Sequence, residues 1–183
     1  MDLGRLADNL RRITVEVTSA GNAVGAGVVW APGWIVTNAH VIRHPRVAVR
    51  FADGRREDGV LVAGDRTADL AVLRVPDVGL PAAVSDESDT LRVGSLVVAI
   101  GHPFGMRGAL TAGIVHALGP ITAGGRPWIQ TDLRLAPGNS GGPLADARGC
   151  LRGLNAMIVG NLALAIPLSE VRCYIRAAGG PSA

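Results

Sequence analysis

The segment Pro137-Gly138-Asn139-Ser140-Gly141-Gly142-Pro143-Leu144 sets a serine between glycines on a tight loop. Such a serine suits a nucleophile. Small neighbours admit a substrate carbonyl and leave backbone N–H groups free to point at it. The amides along Gly138, Asn139 and Ser140 are the candidate oxyanion hole, those of Gly138 and Ser140 foremost. One such donor typically contributes roughly 10²–10³ in rate. Taken alone, a Gly-Ser-Gly stretch is equally the composition of an ordinary turn. A serine nucleophile also needs a base, and the base needs an orienting acid.

Four histidines are available as the base. His44 precedes a proline in a polar turn, His102 sits beside Pro103 in a Gly-rich loop, and His116 lies in a strand series, facing outward. His40 differs: it ends Trp34-Ile35-Val36-Thr37-Asn38-Ala39-His40, where a strand runs into a turn, a place at a barrel rim. For the acid, Asp69 begins Asp69-Leu70-Ala71-Val72-Leu73, with Asp65 its nearby competitor.

These residues need a scaffold of strands. Ile13, Val15 and Val17 alternate with Thr14 and Glu16, the period-two pattern of a half-buried strand. Further strands are expected over 24–30, 34–37, 47–51, 59–63 and 70–75, separated by turn sequences such as Ala31-Pro32-Gly33 and Asp53-Gly54. Residues 76–93 are polar and proline-marked and read as a link. A second series is expected over 95–100, 109–118, 128–131, 142–144, 150–158 and 162–166. The order is six strands, a linker and six strands, suiting two small barrels over 1–85 and 86–183. A short leading helix is expected over 3–10, with Leu3, Leu6, Ala7 and Leu10 on one face. A terminal helix is expected over 169–178, capped by Ser169, stopped by Gly179, with Val171, Tyr174, Ile175 and Ala178 on one face.

Composition agrees. The 183 residues include 25 glycines and 11 prolines, yet 48% are hydrophobic and 18% charged. A disordered chain lacks that much apolar surface, and the glycines have no collagen period. The net charge is +3, carried by 18 arginines and no lysine, scattered rather than striped. That pattern speaks against nucleic-acid binding. Cys150 and Cys173 form no metal motif and read as buried free thiols. No cofactor is implied. No apolar run approaches the ~20 residues that span a bilayer. Met1-Asp2-Leu3-Gly4-Arg5 has no apolar leader, so the chain as written reads as cytoplasmic, or as periplasmic or secreted if a leader has been removed.

Thr37-Asn38-Ala39-His40-Val41, Asp69-Leu70-Ala71-Val72-Leu73 and Gly138-Asn139-Ser140-Gly141-Gly142-Pro143-Leu144 resemble the three catalytic motifs of HtrA/Deg-type, trypsin-like serine proteases. The stretches Val97-Val98-Ala99-Ile100-Gly101, Pro103-Phe104-Gly105, Thr111-Ala112-Gly113-Ile114-Val115, Ile129-Gln130-Thr131-Asp132 and Ala165-Ile166-Pro167 are similar too. The likeness runs from about residue 13 to 170. It implies an all-β fold of two six-stranded Greek-key barrels of the chymotrypsin/trypsin type, with a short C-terminal helix. It implies a serine endopeptidase acting on unfolded or extended polypeptide, with His40 as general base, Asp69 as its orienting partner and Ser140 as nucleophile.

Specificity follows from the same likeness. Leu135, with Met157 and Ile158, would wall the pocket for the residue on the acyl side of the scissile bond (P1), predicting Val, Ala or Leu there. Arg134 stands six before the nucleophile; turned inward it would favour acidic residues, and an outward Arg134 is expected because burying an unpaired guanidinium is costly. Asn155, Ala156, Met157 and Ile158 are expected to form the edge that pairs with substrate. Asn139 carries no charge, so activation by a new N-terminal ammonium has no partner. No PDZ domain fits after Glu170, and the short segment before Ile13 leaves monomer and trimer both open. Two rival readings stand beside the endopeptidase: a catalytically silent peptide-binding scaffold, and a narrow processing protease switched on by a partner.

Overall fold

The computed structural model describes residues 2–19, 23–85 and 91–181. The expected boundary at 85/86 adjoins residues 86–90, which lie outside the described residues. The first half forms β1 (Thr14–Ser19), β2 (Ala23–Ala31), β3 (Trp34–Thr37), β4 (Arg46–Arg50), β5 (Arg56–Asp65) and β6 (Leu70–Arg74). The second forms β7 (Leu96–Gly101), β8 (Ala109–Gly119), β9 (Trp128–Thr131), β10 (Pro143–Asp146), β11 (Leu151–Val159) and β12 (Leu162–Pro167). Each set closes into an antiparallel barrel, in the orders β1-β2-β3-β6-β5-β4 and β7-β8-β9-β12-β11-β10. The two halves therefore repeat one topology, which their sequences do not display.

Period-two alternation explains how one strand serves two cores. In β6, Ala71 and Leu73 point into the first barrel, while Leu70 and Val72 point toward the second. The second barrel does the same, with Val97 and Ala99 inside and Val98 and Ile100 at the seam. Barrel walls at the seam are thus buried on both faces, which is why they read as continuous apolar runs. β5 is the opposite case. It faces solvent over most of its length, so its polar first residues concealed it and the expected 59–63 grew to Arg56–Asp65.

Two helices seal the ends of the seam. α1 (Leu3–Arg12) is longer than expected, with the Asp2 carboxylate accepting from the Gly4 and Arg5 amides as an N-cap. Its Leu6, Ala7 and Leu10 join the shared core. α2 (Leu168–Ala177) follows β12 without a break. Ser169 does not cap it: Pro167 occupies the cap position, and Ser169 lies inside the first turn. Its end matches expectation. Gly179, at φ +76, allows the Gly179 and Gly180 amides to close on the Arg176 and Ile175 carbonyls. Trp30 Nε1 donates to the Pro181 carbonyl at 2.9 Å, tying the tail to β2. Both cysteines are free, but neither is buried: Cys150 is half-buried in a turn and Cys173 is exposed on α2.

Asp146 locks the β10–β11 turn. Its carboxylate accepts from the Arg148 and Cys150 amides and from the buried Arg152 guanidinium at 2.6 Å. Burial pushes its pKa up, but the Arg152 bond, the two amides and the Arg152 charge outweigh that and hold it below the ordinary value. A depressed folded pKa contributes stability that is complete above the unfolded carboxylate range, near pH 4, and is lost as pH falls through the lower folded value. Asp146→Asn is expected to cost about 2 kcal/mol at neutral pH. Urea midpoints at pH 7 and pH 3 check this, the gap between variant and parent narrowing at the lower pH.

Candidate active site

The β3–β6 register pairs Val36 with Val72 and Thr37 with Ala71, so Asn38 and His40 emerge beside the start of β6. A single 3₁₀ turn, Ala39–Val41, then lifts His40 to the rim. Its Nδ1 lies 2.9 Å from both Asp69 carboxylate oxygens, and its backbone N–H donates to Asp69 Oδ1 at 3.0 Å. Asp69 holds an unusual backbone, φ +51. That conformation costs an L-residue roughly 1–2 kcal/mol. The bonds to His40 hold its carboxylate, and the buried Asn38 amide donates to its carbonyl at 2.9 Å. Strain maintained by surrounding bonds is characteristic of functional positions.

Asp65, the competitor for the acid, is spent locally. Its Oδ1 accepts from the Thr67 and Ala68 amides and shapes the turn that delivers Asp69. Arg126, on the β8–β9 connection, grips the same turn from the second barrel. It donates to the Ala68 carbonyl at 2.6 Å while its guanidinium stacks 4.5 Å from the centre of the Trp128 ring. Nothing in the sequence distinguishes Arg126 from the other scattered arginines, because the carbonyl it grips is 58 positions away. Of the other histidines, His44 and His116 are exposed and His102 is buried.

Ser140 sits on the loop between β9 and β10, facing the seam. Its carbonyl accepts from the Ala26 amide of β2 at 2.8 Å. The Ala26 carbonyl in turn accepts from the Thr37 hydroxyl at 2.6 Å. Within the loop, the Asn139 amide donates to the Ala136 carbonyl, Gly141 to Asn155 and Gly142 to Asn139. Among the described residues none accepts from the amides of Gly138 or Ser140. Asn139 therefore leaves the set of candidate oxyanion donors, its N–H being committed to a turn. The Gly138 carbonyl accepts from the His102 amide at 2.9 Å. The Ser140 hydroxyl donates to the Ala156 carbonyl at 3.0 Å and makes no hydrogen bond to His40.

The expected substrate edge divides. Asn155 is buried under the loop, its side-chain amide donating to the Gly142 and Pro143 carbonyls, so it braces the Ser140 loop and its side chain is not open to the surface. Ala156 is buried as well and offers the carbonyl that holds Ser140. Met157 and Ile158 are exposed, on a stretch of β11 where β12 pairs on one side and β10 has ended on the other. Leu135 is half-buried against the second barrel's core, and Arg134 is exposed.

A model of the trypsin-like peptidase domain matches residues 25–154. The chain belongs to the trypsin-like peptidase family. This family member is 40% identical over 140 residues to a probable periplasmic serine endoprotease DegP-like of Ectopseudomonas mendocina, covering 74% of the chain and 30% of the relative. It is 40% identical over 162 residues to the putative serine protease HhoA of Synechocystis, covering 81% and 41%. The crystal structure of a serine endoprotease from Yersinia pestis superposes with a TM-score of 0.90 at 30% identity, over 97% of this chain and 66% of that one. The chain thus spans well under half the length of these curated relatives. No helix among the described residues is long and apolar enough to cross a membrane.

Loop glycines are required unequally. A Cβ on Gly141, at φ +84, would run into the Ala26 carbonyl and the Thr37 hydroxyl. Gly105, at φ +81, faces open space. Gly105→Ala is expected to cost about 1 kcal/mol, from backbone strain alone. Gly141→Ala is expected to cost roughly 3 kcal/mol or more, adding overpacking against backbone. Chemical denaturation of the two variants measures the difference.

Proposed function

We propose that this chain is a serine endopeptidase that hydrolyses polypeptides in extended conformation, with Ser140 as nucleophile, His40 as general base and acid, and Asp69 as its orienting partner. The observation that carries this is the pairing of His40 Nδ1 with the strained Asp69 across the cleft from a serine loop with two uncommitted amides. The two barrels, 1–85 and 86–183, act as one catalytic unit. Asp69 fixes the proton on Nδ1, leaving the Nε2 lone pair to face the cleft.

Catalysis begins with rotation of the Ser140 hydroxyl from the Ala156 carbonyl toward Nε2, a turn about one staggered side-chain torsion. Oγ attacks the scissile carbonyl as its proton passes to His40. The amides of Gly138 and Ser140 receive the developing oxyanion. His40 returns the proton to the leaving amine, and water then hydrolyses the acyl-enzyme by the same steps in reverse roles. The open side of β11 at Met157 and Ile158 supports addition of the substrate as a strand. Leu135 with Met157 and Ile158 supports a small aliphatic P1 residue, and the exposure of Arg134 supports its having no part in charge selection. Bacterial relatives named periplasmic support a place outside the cytoplasm rather than within it.

The silent-scaffold reading draws on one observation, that Ser140 is bonded to Ala156 and not to His40. The two readings separate experimentally. In the endopeptidase reading the intact chain cleaves unfolded casein and reacts with a fluorophosphonate probe, and Ser140→Ala loses both. Asp69→Asn is expected to lower kcat/KM by roughly 10³–10⁴-fold with the fold retained. An intact chain inert to the probe supports the scaffold, and labelling that survives Ser140→Ala removes Ser140 as nucleophile. A peptide-library digest is expected to show cleavage after Val, Ala or Leu, unchanged in Arg134→Ala.

A further inference from the structure

A second cavity lies at the seam, beyond His102, lined by residues of both barrels and of α1. Its volume is about 210 Å³, and Arg11, Glu16, Arg50, Phe51, His102 and Arg107 are among its walls. That is smaller than the roughly 300–1,000 Å³ of sites for drug-sized ligands. Three guanidinium groups face one carboxylate, so the cavity carries an excess of positive charge.

Some of its polar groups are already paired, the Thr14 hydroxyl donating to the Leu10 carbonyl at 2.7 Å. His102 is 5% exposed. Its Nδ1 accepts from the Gly108 amide at 3.2 Å, so in the neutral ring the proton sits on Nε2. That Nε2 is buried out of reach of the cavity space. The Nε of Arg50 is buried without a hydrogen bond and forms an ion pair with Glu16 Oε1 at 3.9 Å. Arg11 is committed in part, to the Gly108 carbonyl and Asp8. Burial holds the His102 pKa below the ordinary value and Arg107 adds to this, with Glu16 and the Val15 carbonyl opposing.

His102 also touches the serine loop. Its amide donates to the Gly138 carbonyl, and its own carbonyl lies so close to Gly138 that no Cβ fits there. Two residues on, the Phe104 amide donates to the Pro137 carbonyl at 3.3 Å. The backbone carrying the buried imidazole is therefore the backbone against which Gly138 is seated.

We propose that this cavity binds a small oxyanion, a phosphate or a compact carboxylate, through Arg50 and Arg107, and that occupancy is transmitted through the His102 ring in its wall to the Gly138 peptide, raising the reactivity of Ser140. The binding half stands on the cavity alone; the transmission half rests on the serine-hydrolase reading. Glu16 opposes the ligand and sets a weak affinity.

The test uses inorganic phosphate and succinate at ionic strength held constant with sodium chloride. Calorimetry on the Ser140→Ala chain reads binding without reference to activity. Saturable binding of at least one anion is expected, weakened roughly tenfold or more in Arg50→Gln/Arg107→Ala and tightened in Glu16→Gln. The bound anion is expected to raise the fluorophosphonate labelling rate of the intact chain about twofold or more. The double variant is expected to label at the unstimulated rate with or without the anion. Binding of phosphate alone assigns a phosphoryl ligand, and binding of succinate alone assigns a carboxylate. Absence of binding by both anions overturns the proposal, as does equal binding by the double variant or a labelling rate that ignores the bound anion. A chain that never labels would sink the hydrolase reading, while the calorimetry still decides the site.

Discussion

The backbone of one residue, Ala26, holds the two halves of the site in register. The Ala26 N–H donates to the Ser140 carbonyl at 2.8 Å, and the Ala26 carbonyl accepts from the Thr37 hydroxyl at 2.6 Å. Ser140 belongs to the second barrel, and Thr37 lies three residues before His40 in the first. Apart from this link and the Arg126 contact at the rim, the serine and the histidine are related mainly by apolar packing, which sets a distance loosely and an orientation hardly at all. Gly141 is required because the Ala26 strand and the serine loop meet backbone to backbone, and Gly142 because a Cβ there would run into the Ile100 carbonyl of β7.

The seam bears on everything around that residue. Its core draws on both barrels and both helices, so displacing α1 or α2 would uncover apolar surface on each side at once. At the rim, Arg126 reaches from the second barrel to the turn before Asp69, and Asn38 reaches from β3 to Asp69 itself. The strained aspartate is thereby gripped from two directions. Asn155 performs the matching task beneath the serine loop. Preorganisation of this kind places charge acceptors and donors before substrate arrives, so that little reorganisation remains for the reaction step.

Much of this was legible in the residues. The strands announced themselves by alternation and turn chemistry, and His40 and Asp69 emerge together because each stands at the end of a strand whose register brings them side by side. What escaped was non-local. Asn155 looked like a substrate contact because it heads an exposed strand edge, yet the loop folds over it. The Asn139 amide looked available because a Gly-rich loop carries no label saying which amides close its turns. Ser169 was a plausible cap, but β12 runs straight into α2 and puts the boundary two residues earlier. Arg126 and the His102 cavity depend on contacts between distant segments, for which a single chain of letters holds no local signal.

The central claim is that a site assembled across the seam activates Ser140 once its hydroxyl leaves the Ala156 carbonyl. The most direct measurement is a high-resolution crystal structure of the chain after reaction with a peptidyl phosphonate. The account predicts a covalent bond from Ser140 Oγ to phosphorus, with one phosphoryl oxygen within about 3 Å of the Gly138 and Ser140 amide nitrogens and His40 Nε2 beside the bonded oxygen. An adduct on another residue, or a phosphoryl oxygen turned away from those two amides, would contradict it.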